Sequence, residues 1–193
     1  KVLKPKLSSD SVCTVYETME RQLIPILANI ELSGVLVNSH HLTQISNSLS
    51  TKMLVLEKQI HQMSGYDFNV ASPKQLGEIL FEKLGLPGGK KNKTGAYSTG
   101  AEVLEKLSYS GNKLVKYILE WRQLSKLKST YSDALREHIN ARTGRVHTSY
   151  IMSGTTTGRL ASAEPNLQNI PIRSDEGKKI REAFIAKPGH KLV

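Results

Sequence analysis

Side chains suited to reading a nucleic acid gather between residues 157 and 173. They are two arginines and three amides: Arg159, Asn166, Gln168, Asn169 and Arg173. An amide presents a hydrogen-bond donor and an acceptor together, which suits the edge of a base, and arginine makes forked contacts with bases or phosphates. Because Pro165 and Pro171 restrict the backbone around the amides, we expect an extended or irregular segment of defined shape. The alternative is a polar loop that satisfies its own backbone groups, and the density of amides and cations disfavours it.

A second candidate is the loop at 86–95, which contains Lys90, Lys91 and Lys93 and no carboxylate. Each lysine can neutralise one phosphate along a nucleic-acid backbone and release the counterions bound there. A solvated surface loop explains the same residues equally well.

The third candidate lies on a long predicted helix. Arg122 and Lys126 are four residues apart and therefore share a helical face. The hydroxyls of Ser125, Ser129 and Thr130 are close by in the sequence, and cations beside hydroxyls suit phosphate contacts. The alternative is an ordinary polar helix face.

The sequence lacks the residue sets with which most enzymes carry out chemistry. No pair of carboxylates stands out as metal ligands or as an acid–base couple, and no Ser, His and Asp set is evident. Cys13 is the single cysteine, so a disulfide within the chain is impossible and a reducing compartment is expected. These residues therefore predict binding and not catalysis.

The net charge of +10 over 193 residues indicates a polyanionic partner. Residues 1–70 contain as many basic as acidic side chains, so the whole excess lies after residue 70. Nucleic acid is the first interpretation and an acidic membrane surface the second. The basic residues do not lie opposite a coherent exposed apolar face, and no apolar run is long enough to span a bilayer, so we expect no membrane partner.

Hydrophobic periodicity predicts the elements that hold these candidates. We expect helices over 11–32 with a kink or a break at Pro25, from Asn38 or Ser39 to Gly65, from Ser72 to Gly85, from Ser98 or Thr99 to Leu107, and over 112–141. Strands are expected at 146–151 and from Lys191, with a helical turn at 175–182. The predicted fold class is mainly α: a long-helix arm with a short helical tip, followed by a truncated α+β portion.

Several long motifs occur in an order that resembles the family A DNA polymerases. They are T-G-R-L-A-S-A-E-P-N-L-Q-N-I-P-I-R at 157–173, L-S-K-L-K-S-T-Y at 124–131 and T-G-R-V-H-T-S-Y at 143–150. The resemblance covers nearly the whole chain from about residue 12, and a chance match of this length is not credible. It implies a connecting or palm-base helix at 1–37, a helical thumb at 38–145 with its tip at about 70–110, and an incomplete N-terminal part of the palm at 146–193.

The resemblance also implies roles for individual residues. Arg159 enters the minor groove near the primer terminus, and Arg173 lies near the phosphates of the incoming nucleotide. The amides that contact the template–primer are Asn166, Gln168 and Asn169. The residues that meet the duplex backbone are Lys93, Ser98, Arg122, Lys126 and Thr130.

The implied function is the primer–template duplex-binding portion of a DNA-templated DNA polymerase, with a deoxynucleoside triphosphate as substrate of the intact protein. Mg²⁺ is implied for nucleotidyl transfer, but the family's first catalytic aspartate belongs to D-Y-S-Q-I-E-L, which would follow Val193. We therefore expect this chain alone to be inactive in nucleotide transfer, to be a monomer, and to work in the cytoplasm at the nucleoid. The alternative is a free-standing duplex-binding module without chemistry.

Overall fold

The computed structural model describes residues 3–92 and 95–192, with the backbone alone for residues 3 and 4. The predicted site residue Lys93 lies outside the described residues. The chain forms two compact units, one made of the residues up to 42 together with those from 133 onward, and the other of residues 43–132. Helices dominate and the strands are short, which confirms a mainly helical fold.

The helices and strands are numbered in chain order. The helices are α1 (Leu3–Ser9), α2 (Cys13–Val15), α3 (Arg21–Ser33), α4 (Ser39–Ser64), α5 (Pro73–Gly77), α6 (Ala101–Tyr109), α7 (Lys113–Leu127), α8 (Ala134–Glu137) and α9 (Asp175–Glu182). Wider π-helical turns occupy Tyr16–Glu20, Glu78–Lys83 and Lys128–Asp133. The strands are β1 (Val35–Leu36), β2 (Arg145–Val146), β3 (Ser149–Ile151) and β4 (Ala161–Ala163).

The first predicted helix differs from the structure in two ways. The helical stretch is interrupted by the π turn at Tyr16–Glu20, and α3 then continues through Pro25 without a break. The departure from α geometry thus lies one turn before the proline, at a π turn, which is another recognised cause of irregular helices. The apolar side chains of this stretch do not all lie in the core: Met19 is 62% exposed and Ile30 is 46% exposed, whereas Leu27 is buried.

The long helix α4 follows the prediction closely. The Asn38 side chain accepts a hydrogen bond from the His41 amide at 3.0 Å, which satisfies one unpaired donor of the first turn. Its buried apolar stripe consists of Leu42, Ile45, Leu49, Leu56 and Ile60. Met63, near the end of α4 at Ser64, is 45% exposed.

Side-chain caps at α5 and α7 also follow from the sequence, whereas the expected cap at α6 does not. Ser72 accepts from the Gln75 amide at 3.4 Å, and Asn112 accepts from the Val115 amide at 3.2 Å. Helix α6 begins after Gly100 without a side-chain cap, so the prediction that Ser98 or Thr99 caps it is wrong.

The predicted helix over 112–141 ends earlier than expected. It passes from α7 through the π turn at Lys128–Asp133 into α8, which ends at Glu137. The Asn140 side chain then accepts from the amides of Arg142 and Thr143. Such local side-chain bonds stabilise a turn in place of a helix, which explains the early end.

The predicted strand at 146–151 is two strands with different partners. β2 pairs antiparallel with β1, aligning Val146 with Val35, and β3 pairs antiparallel with β4, aligning Tyr150 with Ser162. The chain therefore changes partner between Val146 and Ser149. Helix α9 confirms the helix predicted at 175–182, but residues 191 and 192 are not in a strand.

Candidate nucleic-acid interface

In the unit of residues 43–132, a compact turn presents Ser98. The Ser98 amide donates to the Lys90 carbonyl oxygen at 2.9 Å, and its side chain is exposed. The ring of Tyr97 lies 5.2 Å from the ring of Phe81, and the Lys91 ammonium lies 4.7 Å above the Tyr97 ring. These contacts order the described part of the loop at 86–95, the lysine-rich loop.

Lys91 is bound within the protein. Its Nζ lies 3.4 Å from a carboxylate oxygen of Glu82. That hydrogen bond, together with the charge interaction and hydrogen bond with the Tyr97 side chain, favours the charged amine and raises the pKa of Lys91. Of the lysines predicted to follow a DNA backbone, Lys91 is therefore partly committed to shaping the loop itself.

Arg122 also has a partner inside this unit. Its Nη1 donates to the backbone carbonyl oxygen of Thr99, and its Nη2 lies 3.2 Å from Thr99 Oγ1. The arginine is half-buried, and burial lowers the pKa of its guanidinium. Thr99 is only 5% exposed, so the pair is a packed contact and not a loose surface interaction.

The remaining candidates of this unit lie on the outside of the helix. Lys126 in the last turn of α7 and Thr130 in the following π turn are exposed. The neighbouring leucines of the same helix, Leu124 and Leu127, are buried. The amphipathic pattern of α7 thus turns its apolar stripe inward and leaves Lys126 in solvent.

In the other unit, a network of buried hydroxyls shapes the segment that carries the amides. Thr148 Oγ1 lies 2.7 Å from Ser162 Oγ and donates towards the Pro165 carbonyl oxygen at 2.8 Å. Ser162 Oγ in turn accepts from the Leu167 amide at 3.0 Å. Neither hydroxyl was singled out from the sequence: Ser162 is a buried position of β4, and Thr148 lies between β2 and β3.

The amides are exposed and partly engaged with their own segment. Asn166 Oδ1 accepts from the Gln168 amide at 3.0 Å, and Gln168 Nε2 donates to the Leu160 carbonyl oxygen at 2.9 Å. Asn169 is exposed. The structure therefore supports part of the alternative interpretation, because one group of Asn166 and one of Gln168 stabilise the loop.

The two arginines of this segment lie on its surface. Arg159 is exposed, and its carbonyl oxygen accepts from Thr155 Oγ1 at 2.8 Å. Arg173 is exposed and directly precedes Ser174, whose Oγ accepts from the Gly177 amide at 3.1 Å and so caps α9. Both guanidinium groups are thus accessible to a ligand, and structured backbone holds the residues that carry them.

A second set of residues that the sequence analysis did not identify forms hydrogen bonds between the end of α3 and the segment that contains β2 and β3. His147 Nδ1 donates to the Glu31 carbonyl oxygen at 2.7 Å, and the Glu31 carboxylate accepts from the Tyr150 amide at 2.6 Å. Arg145 donates to the carbonyl oxygen of Gly34 at 2.7 Å. The sequence motif at 143–150 contains these residues, but their partners at 31–34 are more than a hundred residues away along the chain.

The described residues do not fit a metal centre, since no three His, Cys, Asp or Glu side chains among them come together in a way that could hold an ion. In the part of the chain that the structure describes, no helix is both long enough and apolar enough to cross a membrane.

Residues 39–193 match the model of the family described as DNA polymerase family A. The chain is 53% identical over 192 residues to DNA polymerase I of Rhizobium leguminosarum, and 50% identical over 183 residues to DNA polymerase I of Pseudomonas aeruginosa. These matches cover 100% and 95% of this chain but only 19% and 20% of those proteins, so the chain spans about a fifth of their length.

A solved structure shows the same architecture. The POL domain of Pol1 from M. smegmatis, in complex with a DNA primer-template and dNTP, superposes with a TM-score of 0.88 at 34% sequence identity. The match covers 98% of this chain and 33% of that one.

Proposed function

Because the chain belongs to the family A DNA polymerases, we propose that it is the primer–template duplex-binding part of a DNA-templated DNA polymerase. One observation carries the proposal: the chain resembles, over 98% of its length, a polymerase domain solved with a DNA primer-template and dNTP. The net charge of +10 supports the same partner, since polyanionic DNA attracts an excess of cations.

We assign the parts of the polymerase as follows. Residues 38–145 form the thumb, with the tip at about 70–110, and residues 146–193 with the helix at 1–37 belong to the palm. The helical unit at 43–132 supports the thumb assignment, because α4 and α7 are long and amphipathic and α5 and α6 are short helices between them in the chain.

The thumb residues bind the sugar-phosphate backbone of the duplex. Lys126 supplies a charge, and Ser98 and Thr130 supply hydroxyl donors; all three are exposed. Contacts of this type fix the register of a protein on a duplex and carry no sequence information, as a polymerase requires. Lys93 belongs to the same proposed set.

The palm residues meet the end of the primer. Arg159 reaches the minor groove, the amides of Asn166, Gln168 and Asn169 contact the template–primer, and Arg173 binds phosphates of the incoming nucleotide. A minor groove presents acceptors on every base pair, so donors from arginine and amide groups can contact any sequence there.

Nucleotide transfer, Mg²⁺ and the deoxynucleoside triphosphate belong to the proposal for the longer protein. When bound, Mg²⁺ would supply charge stabilisation at the transferring phosphoryl group. The described residues do not fit such a site, so no step is assigned to them beyond binding and orienting DNA. A monomer working at the nucleoid completes the proposal.

Fluorescence anisotropy with a recessed primer–template, a blunt duplex and a single strand tests this function. We expect tightest binding to the recessed primer–template and a logarithm of affinity that falls linearly with the logarithm of salt concentration. The variant K126Q should lower the magnitude of that slope by about 0.9, the value for one phosphate contact. The matched control K58Q removes another exposed lysine, on α4, and should leave the slope unchanged.

A slope near zero, or no preference for any of the three nucleic acids, would contradict the proposal. Equal losses in K126Q and K58Q would show that binding follows net charge and not the assigned face.

A further inference from the structure

Two donors of the Arg122 guanidinium are used within the protein. Two of its nitrogens are hydrogen-bonded to one residue, Thr99, through the backbone carbonyl oxygen and through Oγ1 at 3.2 Å. A guanidinium presents its donors as a rigid planar fork, so two bonds to one residue fix both the place and the orientation of that residue. Donors engaged in this way are not available to a phosphate.

The residue next to Thr99 is the exposed Ser98, and its position is fixed from both sides. Before it, the β-carbon of Tyr97 packs so closely against Gly77 that a β-carbon at Gly77 would lie only 2.8 Å from it. After it, Thr99 is held by Arg122. The Ser98 amide also donates to the Lys90 carbonyl oxygen, so a shift of Thr99 and its neighbour Ser98 would also move the lysine-rich loop.

We propose that Arg122 is a positioning residue, which holds Thr99 and thereby sets the Ser98 hydroxyl and the Lys90 loop for the DNA backbone, instead of contacting phosphate itself. The inference rests on the proposed DNA-binding function and assigns to Arg122 a different task from that of Lys126. Lys126 lies one helical turn further on, is exposed, and has no ion-pair partner among the described residues.

Five variants separate positioning from direct contact, with anisotropy on the primer–template as the readout. R122K keeps the positive charge but loses the fork, and we expect it to lose about tenfold in affinity, the same as R122A. T99V removes the Oγ1 acceptor and should lower the affinity for the primer–template several-fold. T99S keeps the hydroxyl and should restore most of that affinity. In the double variant R122A/T99V the two losses should not add, because both break one contact.

The variant K126Q supplies the comparison within the same helix. Its effect should add to that of T99V, since the two side chains share no contact. Circular dichroism of each variant checks that it is folded, and hydrogen exchange of the amides at 96–100 should quicken in R122K and T99V but not in K126Q.

Direct phosphate contact by Arg122 predicts the opposite pattern. R122K would then bind like the unmodified chain, R122A would lower the salt slope by about 0.9, and T99V would have no effect. That result would overturn the positioning role while leaving the DNA-binding function intact. If the unmodified chain fails to bind the primer–template at all, the proposed function fails instead, so the two failures are distinguishable.

Discussion

Substituting Gly34 with alanine should unfold the unit that contains α3 and the strands at a clearly lower temperature. Gly34 follows α3 and has φ of 57° and ψ of 178°, a combination that is essentially restricted to glycine. A β-carbon there would lie 2.7 Å from Cε1 and Nδ1 of His147 and 2.8 Å from the Val146 carbonyl oxygen. The imidazole would have to move, and its hydrogen bond to the Glu31 carbonyl oxygen at 2.7 Å would break.

The expected magnitude follows from three terms. Backbone strain costs about 1–3 kcal/mol. The lost hydrogen bond removes about 0.5–1.5 kcal/mol. Alanine regains about 0.4–1 kcal/mol by restricting the unfolded chain. The terms sum to a net loss of about 0.5–4 kcal/mol, and the midpoint of about 2 kcal/mol corresponds to a fall in Tm of roughly 4–8 °C for a chain of this size.

Thermal unfolding followed by circular dichroism measures this difference, with G65A as the matched control. Gly65 also has a positive φ, 74°, but nothing lies within 4 Å of the β-carbon position, so only the modest left-handed strain of about 1 kcal/mol applies. In the double variant G34A/H147A the loss should be smaller than the sum of the single losses, because the displaced ring is absent. A Tm for G34A equal to that of G65A, or strictly additive losses, would refute the proposed clash.

Three further predictions concern other contacts. T148V keeps the shape of the buried side chain but removes the 2.8 Å donor of the Pro165 carbonyl oxygen, which keeps only the longer bond from Ser162 Oγ at 3.3 Å. Urea unfolding should therefore show a loss of about 0.5–1.5 kcal/mol. G177A places a β-carbon 2.6 Å from the Pro171 carbonyl oxygen, and overpacking of about 1–3 kcal/mol should outweigh a helix-propensity gain of about 1 kcal/mol in the same assay. E82Q replaces the charged acceptor of the Lys91 ammonium with a neutral amide oxygen, which weakens the hydrogen bond that raises the pKa of Lys91, so NMR titration should give a lower pKa for that amine. In the unmodified chain the stabilisation is present below the ordinary lysine pKa and disappears as pH rises through the raised value.

Features that depend on neighbours in the chain could be predicted from the sequence. Asn38, Ser72 and Asn112 cap helices because a short polar side chain reaches an amide two or three residues ahead, and that geometry needs no distant partner. The family motifs were equally readable, and the comparisons with known proteins confirm the family. Three cations of the candidate site, Lys126, Arg159 and Arg173, were named from the sequence as candidates for contact with DNA. The structure places all three on the surface.

Features that depend on partners far along the chain could not be predicted. Thr99 has the residue type of a helix cap, yet its hydroxyl accepts from Arg122, which lies 23 residues away, and α6 begins without a side-chain cap. Met19 and Ile30 have helical spacing for a core face but are exposed, since periodicity shows which residues share a face and not whether another element covers it.

The family, the cationic character, the starts of α4, α5 and α7 and the candidate residues for DNA binding follow from the sequence alone. The tertiary structure decided which of those residues are committed to the protein: Arg122 to Thr99, Lys91 to Glu82, and Gln168 to Leu160. The physical reason is that arginine, lysine and amide side chains are long, polar donors that suit a phosphate and a carbonyl oxygen equally well. Only the fold determines which acceptor lies within reach.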